Sequence, residues 1–239
     1  MKSSAMTERG SESGAPKQPR PKALISWSSG KDSAFALHQV RLAGEFDVVG
    51  ALTTVNEAFD RVSIHGVRQE ILRAQCEAAR LPLRIVPIPY PCPNEIYEAR
   101  MAEAVARAVG EGITHIIFGD LFLAEIRAYR EQKLAGSGLT PLFPLWHRPT
   151  LPLARAMIES GIEAYVSTVD LGKLPVEFAG RKFDLQLLGD LPAGIDPCGE
   201  NGEFHTCVAA GPIFSGALAL IAGERVQRDG YAYCDLRMI

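Results

Sequence analysis

The sequence predicts an α/β protein: a parallel sheet with helices on both faces, followed by a smaller C-terminal α+β portion. Three observations carry that prediction. From residue 22 to about 145, short runs rich in Val, Ile, Leu and Phe alternate with longer amphipathic stretches. A Ser/Gly loop sits directly between the first apolar run and the first helical stretch. Beyond residue 146 the alternation stops, and shorter elements lead into a hairpin signal.

The apolar runs are residues 23–27, 48–53, 83–88, 113–118 and 141–145, each dense enough to be a strand buried on both faces. Between them, 33–43, 66–80, 95–109 and 121–135 carry i, i+3, i+4 spacing; in the second, Val67, Ile71, Leu72 and Cys76 share one face. Strand–helix alternation implies parallel strands joined by right-handed crossovers. Ligands of such sheets bind beyond the carboxyl ends of the strands, near the reversal of strand order. Residues 28–33 follow the first strand and Gly119-Asp120 the fourth, so both are expected to face one cleft. Further on, a helix at 151–160, a strand at 164–168 and short helices at 174–179 and 184–188 are expected. Asp229-Gly230 then marks a tight turn between strands at 217–227 and 231–238. The division expected is a disordered tail at 1–21, a nucleotide-binding domain at 22–145 and a substrate-binding domain at 146–239 packed over the cleft.

Composition excludes several classes. Hydrophobic residues make up 47% and charged residues 22% of the 239, an ordinary globular balance. A net charge of −3 offers no basic surface for nucleic acid, and no apolar run approaches bilayer length. The first 21 residues are polar and lack the apolar core of a secretory signal. Cys76, Cys92, Cys198, Cys207 and Cys234 form no Cys-x-x-Cys pair, so reduced thiols in a cytoplasm are expected.

Chemistry concentrates in two segments. The first is Ser28-Ser29-Gly30-Lys31-Asp32-Ser33. A strand, a short Ser/Gly loop and a helix start bring backbone N–H groups and the positive end of the helix dipole to one point, where a phosphate can sit. The Walker A pattern is absent because Asp32 follows the lysine, and the dinucleotide pattern is absent because only one glycine is present. An ordinary capped helix start is the plainer alternative. The second segment runs from Asp196 to Thr206, Asp-Pro-Cys-Gly-Glu-Asn-Gly-Glu-Phe-His-Thr. Its glycines, proline and asparagine are expected to keep it out of regular structure, yet it holds three carboxylates, an imidazole, a thiol and a hydroxyl. Loops on rigid scaffolds are where sites tend to be built.

The first segment resembles the pyrophosphate loop of N-type ATP pyrophosphatases, usually Ser-Gly-Gly-x-Asp-Ser, with Ser29 in place of the first glycine. Together with Gly119-Asp120 and the following Leu-Phe-Leu-Ala-Glu-Ile-Arg-Ala-Tyr-Arg, the run from Leu142 to Trp146, and Glu200-Asn201-Gly202-Glu203-Phe204-His205-Thr206, the chain is similar to the diphthine–ammonia ligase family. The resemblance covers residue 22 to about 214. It implies a HUP-type, Rossmann-like ATP domain, cleavage of ATP to AMP and pyrophosphate, adenylation of a carboxylate, and transfer of ammonia or an amine. Asn201 and His205 depart from the Glu-Gly-Gly-Glu-Phe/Tyr-Glu-Thr form of members that amidate diphthine. This version resembles a sister branch, often bacterial, linked to cobalamin-related metabolism. A sulfur- or tRNA-modifying ATP pyrophosphatase and a non-catalytic ATP sensor are the alternatives weighed.

From that resemblance and the residue types, ATP is expected over Ser28, Ser29, Gly30, Lys31, Asp32 and Ser33. Its adenine is expected near Trp27, Thr53 and Thr54, with Gly119 and Asp120 completing the site. Lys31 is expected on the β- and γ-phosphates, Mg2+ on Asp32 or Asp120, and Glu200, Glu203 or His205 as the group taking a proton or orienting the acceptor. Free ammonia is the expected nitrogen donor, a carboxylate the acceptor, and a homodimer the assembly considered. Arg68, and the pair Arg127 and Arg130 on one helix face, are weighed as anion clamps against ordinary solvated arginines, and Trp146 is read as junction packing.

Overall fold

Apolar runs too short for helices and flanked by amphipathic helices have one stable solution, a sheet covered on both faces, and the computed structural model adopts it. It describes residues 19–239. The tail expected at 1–21 thus lies mostly outside the described residues; chain pairing starts at Lys22. Strands β1 (Lys22–Ser26), β2 (Asp47–Asn56), β4 (Leu83–Ile88), β5 (His115–Ile117) and β6 (Thr140–Leu142) form one parallel sheet ordered β4-β2-β1-β5-β6. The order reverses between β1 and β5, which is where the sequence argument puts the ligand site.

Side-chain alternation assigns the faces. Ala23 and Ile25 of β1 look toward helices α1 (Lys31–Ala43) and α2 (Gln69–Ala78), whereas Leu24 looks toward α3 (Asn94–Gly110). Each layer buries its own apolar cluster: Ala34, Leu37, Ile71 and Leu72 on one side, and Ala104, Val105, Ala108 and Phe118 on the other. Helix α4 (Ala124–Leu134) follows β5, and α5 (Thr150–Glu159) leads out of this half.

A second, antiparallel sheet follows, ordered β8-β7-β10-β9 and built from β7 (Glu163–Asp170), β8 (Phe204–Ala210), β9 (Leu220–Arg228) and β10 (Tyr231–Met238). A short 3-10 turn at Val176–Phe178 and helix α6 (Leu185–Asp190) lie between β7 and β8. Asp229 and Gly230 join β9 to β10 with φ of 52° and 82°; positive values at both positions are what a two-residue type I′ turn requires. The two sheets do not have separate interiors. Ala164, Val166, Val169, Phe204 and Val208 of the second sheet belong to the same buried cluster as α1, α2 and α5.

Two segments differ from the sequence expectation. The polar stretch before α2 is a small antiparallel excursion, β3 (Arg61–Val62), which pairs with the end of β2 at Val55 and Asn56. Val62 also donates its N–H to Val67, so α2 starts at Gln69 rather than 66. The second chemical segment is irregular only as far as Glu203: Phe204, His205 and Thr206 open β8, pairing with Val169, Thr168 and Val166 of β7. Their backbone groups find ladder partners that composition alone does not show.

Gln75 joins these layers. It is fully buried on the apolar face of α2, where its amide donates to the Ser29 carbonyl at 3.2 Å and the Val208 carbonyl at 2.7 Å, and its Oε1 accepts the Trp27 indole N–H at 3.1 Å. Replacing it by leucine leaves those three groups buried without that partner. Gln75→Leu is therefore expected to cost about 1–3 kcal/mol, read as a lower urea midpoint with an unchanged denaturant slope.

Candidate functional site

The loop at residues 28–33 has the geometry of an anion cradle. Ser29 sits in the left-handed region at φ 69°, a conformation that favours glycine. That turn aims α1 at the open end of the sheet. Gly30 precedes the helix with no side-chain cap, the Ser33 amide has no acceptor among the described residues, and the Asp32 amide has none beyond its own carboxylate. Ser29 Oγ is likewise buried without a partner. Ser33 Oγ donates to the Gly30 carbonyl at 3.0 Å and lies 3.2 Å from Ser28 Oγ, holding the loop closed on itself. A free amide at a helix start beside an orphaned hydroxyl fits an oxyanion.

Gly119 packs against this turn. A Cβ there would lie 2.8 Å from the Asp32 carbonyl carbon and 2.9 Å from the Ser33 nitrogen, so only glycine lets the β5 end approach the start of α1. A cleft of about 840 Å³ opens beside the loop, lined by Trp27, Ser28, Leu52, Thr53 and Thr54 from the strand ends and by Met101 and Val105 from α3. Its volume is that of a nucleotide-sized ligand site. Trp27 takes part through its backbone alone: its indole is buried on the far face against Gln75 and Phe214. The Thr53 hydroxyl is engaged too, donating to the Trp27 carbonyl at 2.8 Å.

Lys31 departs from its expected place on the phosphates. Its side chain is 1% exposed and runs away from the cleft into the second half of the chain. There Nζ lies 5.3 Å from the ring centroids of both Phe183 and Phe204, donates to both Asp32 oxygens at 3.1 and 2.9 Å, and reaches the Cys198 carbonyl. Burial acts to lower its pKa, but Asp32, Cys198 and Glu200 outweigh burial and the net shift is upward, so it is a permanent cation. The cause of the departure is local. As the first residue of α1, Lys31 projects its side chain toward β8, while its amide donates to Thr206 Oγ1 at 3.0 Å.

Asp32 and Asp120, the expected Mg2+ ligands, are each held by a cation: Asp32 by Lys31, and Asp120 by Arg130 at 2.8 Å. Burial raises the Asp32 carboxyl and Lys31 offsets only part of that rise. Asp32 has both oxygens engaged by Lys31, whereas Asp120 Oδ2 is buried without a hydrogen-bond partner, so Asp120 is the carboxylate that would hold Mg2+.

The second segment divides by role. Glu203 is 2% exposed; its Oε1 accepts from the Asp196 amide at 3.1 Å and Asn201 Nδ2 at 3.0 Å, bracing the turn, and its Oε2 has no partner. His205 packs against His65 with ring centroids 4.6 Å apart, and burial holds its pKa well below the usual value. His65 is lowered to about 4 by burial, so the stacked pair is uncharged at neutral pH. Glu200 reaches the loop after β5: its Oε1 accepts the Leu121 amide at 2.7 Å, next to Asp120. Burial raises its pKa to about 7, with Asp32 and Asp120 adding to the rise. A carboxyl poised there is suited to proton transfer.

Sequence reasoning did not single out Gln75, Thr206 or His65 as site-shaping residues. Gln75 had a visible signal, a lone amide on the face shared by Ile71, Leu72 and Cys76; His65 and Thr206 had none, because their contact joins residues 141 positions apart. Of the other arginines weighed, Arg68 grips Asp235 through two hydrogen bonds at 2.7 and 2.8 Å, Arg130 holds Asp120, and Arg127 stacks on Phe143 and Trp146.

With this geometry in place, the comparisons with known proteins gain meaning. Residues 149–238 match the family described as the diphthamide synthase C-terminal domain. The matched segment contains β7, β8 and the whole Asp196-to-Thr206 segment, and so includes Glu200, Glu203, His205 and Thr206. A curated relative, the diphthine–ammonia ligase of Schizosaccharomyces pombe, is 25% identical over 233 residues, an alignment covering 88% of this chain and 38% of the relative. The chain spans well under half the length of that protein. Among solved structures, the U34-tRNA thiolase NcsA from Methanococcus maripaludis with its [4Fe-4S] cluster aligns at a TM-score of 0.37 and 17% identity, over 61% of this chain and 59% of that one. A likeness that low carries no argument.

Two substitutions test the site's construction. Gly119→Ala is expected to force the start of α1 aside, costing about 1–3 kcal/mol and weakening nucleotide binding in a calorimetric titration. Lys31→Met removes a buried cation from its partner and is expected to cost about 3 kcal/mol by denaturant unfolding. A full loss of ATP affinity without loss of stability in that variant would restore Lys31 to the phosphates.

Proposed function

We propose that the protein is an ATP-dependent, AMP-forming ligase that adenylates a carboxylate and passes the acyl group to ammonia or an amine, similar to the diphthine–ammonia ligases. The observation that carries this reading is the loop at the start of α1: it sits at the reversal of strand order with the buried Ser29 hydroxyl unpartnered, and its Ser28 lines a nucleotide-sized cleft. ATP lies with its phosphates over residues 28–33 and its adenine in the cleft, its edge meeting the backbone near Thr53 and Thr54. The acceptor carboxylate attacks the α-phosphorus, the bond from that phosphorus to the α,β-bridging oxygen breaks, and pyrophosphate leaves with its charge held by the loop amides and by Ser28, Ser29 and Ser33. Ammonia then attacks the acyl carbon, AMP departs, and the nitrogen's surplus proton passes to Glu200.

Glu200 is favoured over Glu203 and His205 because it is the one of the three whose carboxylate bridges to the β5–α4 loop beside Asp120. Asn201 and His205 depart from the form of the motif in the enzymes that amidate diphthine, so the acceptor is stated here only as a carboxylate. Cytoplasmic action, free ammonia as donor and a homodimer belong to the same proposal; no helix among the described residues is long and apolar enough to cross a membrane.

The test is release of AMP and pyrophosphate from ATP over a panel of carboxylates with ammonium. No release with any member sinks the ligase reading. With an active carboxylate in hand, Glu200→Gln is expected to slow turnover about a hundredfold to ten-thousandfold while ATP affinity holds. The base works as the carboxylate, so the parent's rate is expected to fall as pH drops through about 7, and the variant's profile to lose that limb.

A further inference from the structure

A second cavity, of about 230 Å³, lies between the β2–β3 hairpin and the β9–β10 ribbon. It adjoins the nucleotide cleft, since Val62, Ser63 and Ile64 line both. That shared wall has two features that packing does not explain. Ser63 Oγ is buried there with no hydrogen-bond partner among the described residues. Ile64 holds φ at 67°, a region a β-branched side chain rarely enters, yet it is 70% exposed, so no burial offsets the strain.

The charge around the cavity is unbalanced. Asp235 on its lining accepts from Arg68, Arg61 and Arg237, which together hold its carboxyl well below the usual range. Glu70 also lies 3.9 Å from Arg68, so Asp235 and Glu70 together face three guanidiniums and a positive surplus remains. Arg228 adds a fourth cation on the rim, its guanidinium 4.1 Å from the Phe59 ring centroid and 5.6 Å from that of Tyr233, with Asp229 3.7 Å away. Phe59 and Tyr90 meet edge to face at 5.0 Å, and both stay partly open to solvent. Aromatic walls beside a surplus of arginine suit an anion carried on a flat or apolar body.

We propose that this cavity is the acceptor pocket of the ligase reaction and takes a small anionic molecule with a flat apolar body. The body lies among Phe59, Tyr90 and Tyr233, and the reacting carboxylate lies between Arg228 and Ser63, whose hydroxyl donates to it. The volume admits a single substituted ring. This deepens the ligase proposal and rests on its placement of ATP.

Benzoate is the probe and benzyl alcohol its uncharged counterpart, each titrated calorimetrically into the full chain with and without saturating ATP and soaked into crystals. Benzoate is expected in this cavity, bound alongside ATP, with benzyl alcohol at least tenfold weaker. Arg228→Leu is expected to weaken benzoate about tenfold or more, the loss of one charge-assisted contact, while binding ATP as the parent does, and Ser63→Ala is expected to weaken benzoate several-fold. Competition between benzoate and ATP, equal benzoate affinity in Arg228→Leu, or no benzoate density in the cavity overturns the proposal. Absence of ATP binding while benzoate fills the cavity overturns the nucleotide reading instead, and with it the acceptor role.

Discussion

A single buried ammonium holds the two halves of this protein in register. Lys31 has left water entirely, and an ion so placed is tolerated only when paired and hydrogen-bonded. Its partners come from both halves: Asp32 from the first, the Cys198 carbonyl and the rings of Phe183 and Phe204 from the second. The neighbouring backbone repeats the arrangement, with the Lys31 amide on Thr206 and the Val208 amide on the Ser29 carbonyl. The anion cradle is therefore not a property of the first half alone. Its lower side is built from β8.

The fold was largely legible in the sequence because its strands are doubly buried and its helices one-sided, so periodicity and apolar density agree at most positions. The Asp229-Gly230 turn was legible for the same local reason: few residue pairs accept positive φ twice in succession. β3 was not, since two residues have no period and their pairing depends on how far β2 extends beyond β1. The start of β8 was misread because Gly199, Asn201 and Gly202 speak for a loop, while the ladder that captures Phe204 comes from β7, more than thirty residues away.

The site shows the same division. Residue types and their order brought residues 28–33, Gly119, Asp120 and the Asp196 segment together, and the structure assembles all of them at one place. Direction was the part out of reach. Whether Lys31 points at a ligand or into the interior turns on one side-chain torsion and on Phe183 and Phe204, residues that carry no chemical signal of their own. Glu200 and Glu203, three positions apart, look equivalent as text; one braces its own turn and the other crosses to Leu121.

The register of β8 has a consequence for how this chain can vary. Phe204 and Thr206 meet Lys31 from one side of the strand, while His205 meets His65 from the other. Alternation has a period of two, so inserting or deleting a single residue between Gly199 and Glu203 would exchange the two sides and present an imidazole where a hydroxyl must accept the Lys31 amide. The length of that turn is thus more constrained than its composition: a change in residue count would uncouple the halves.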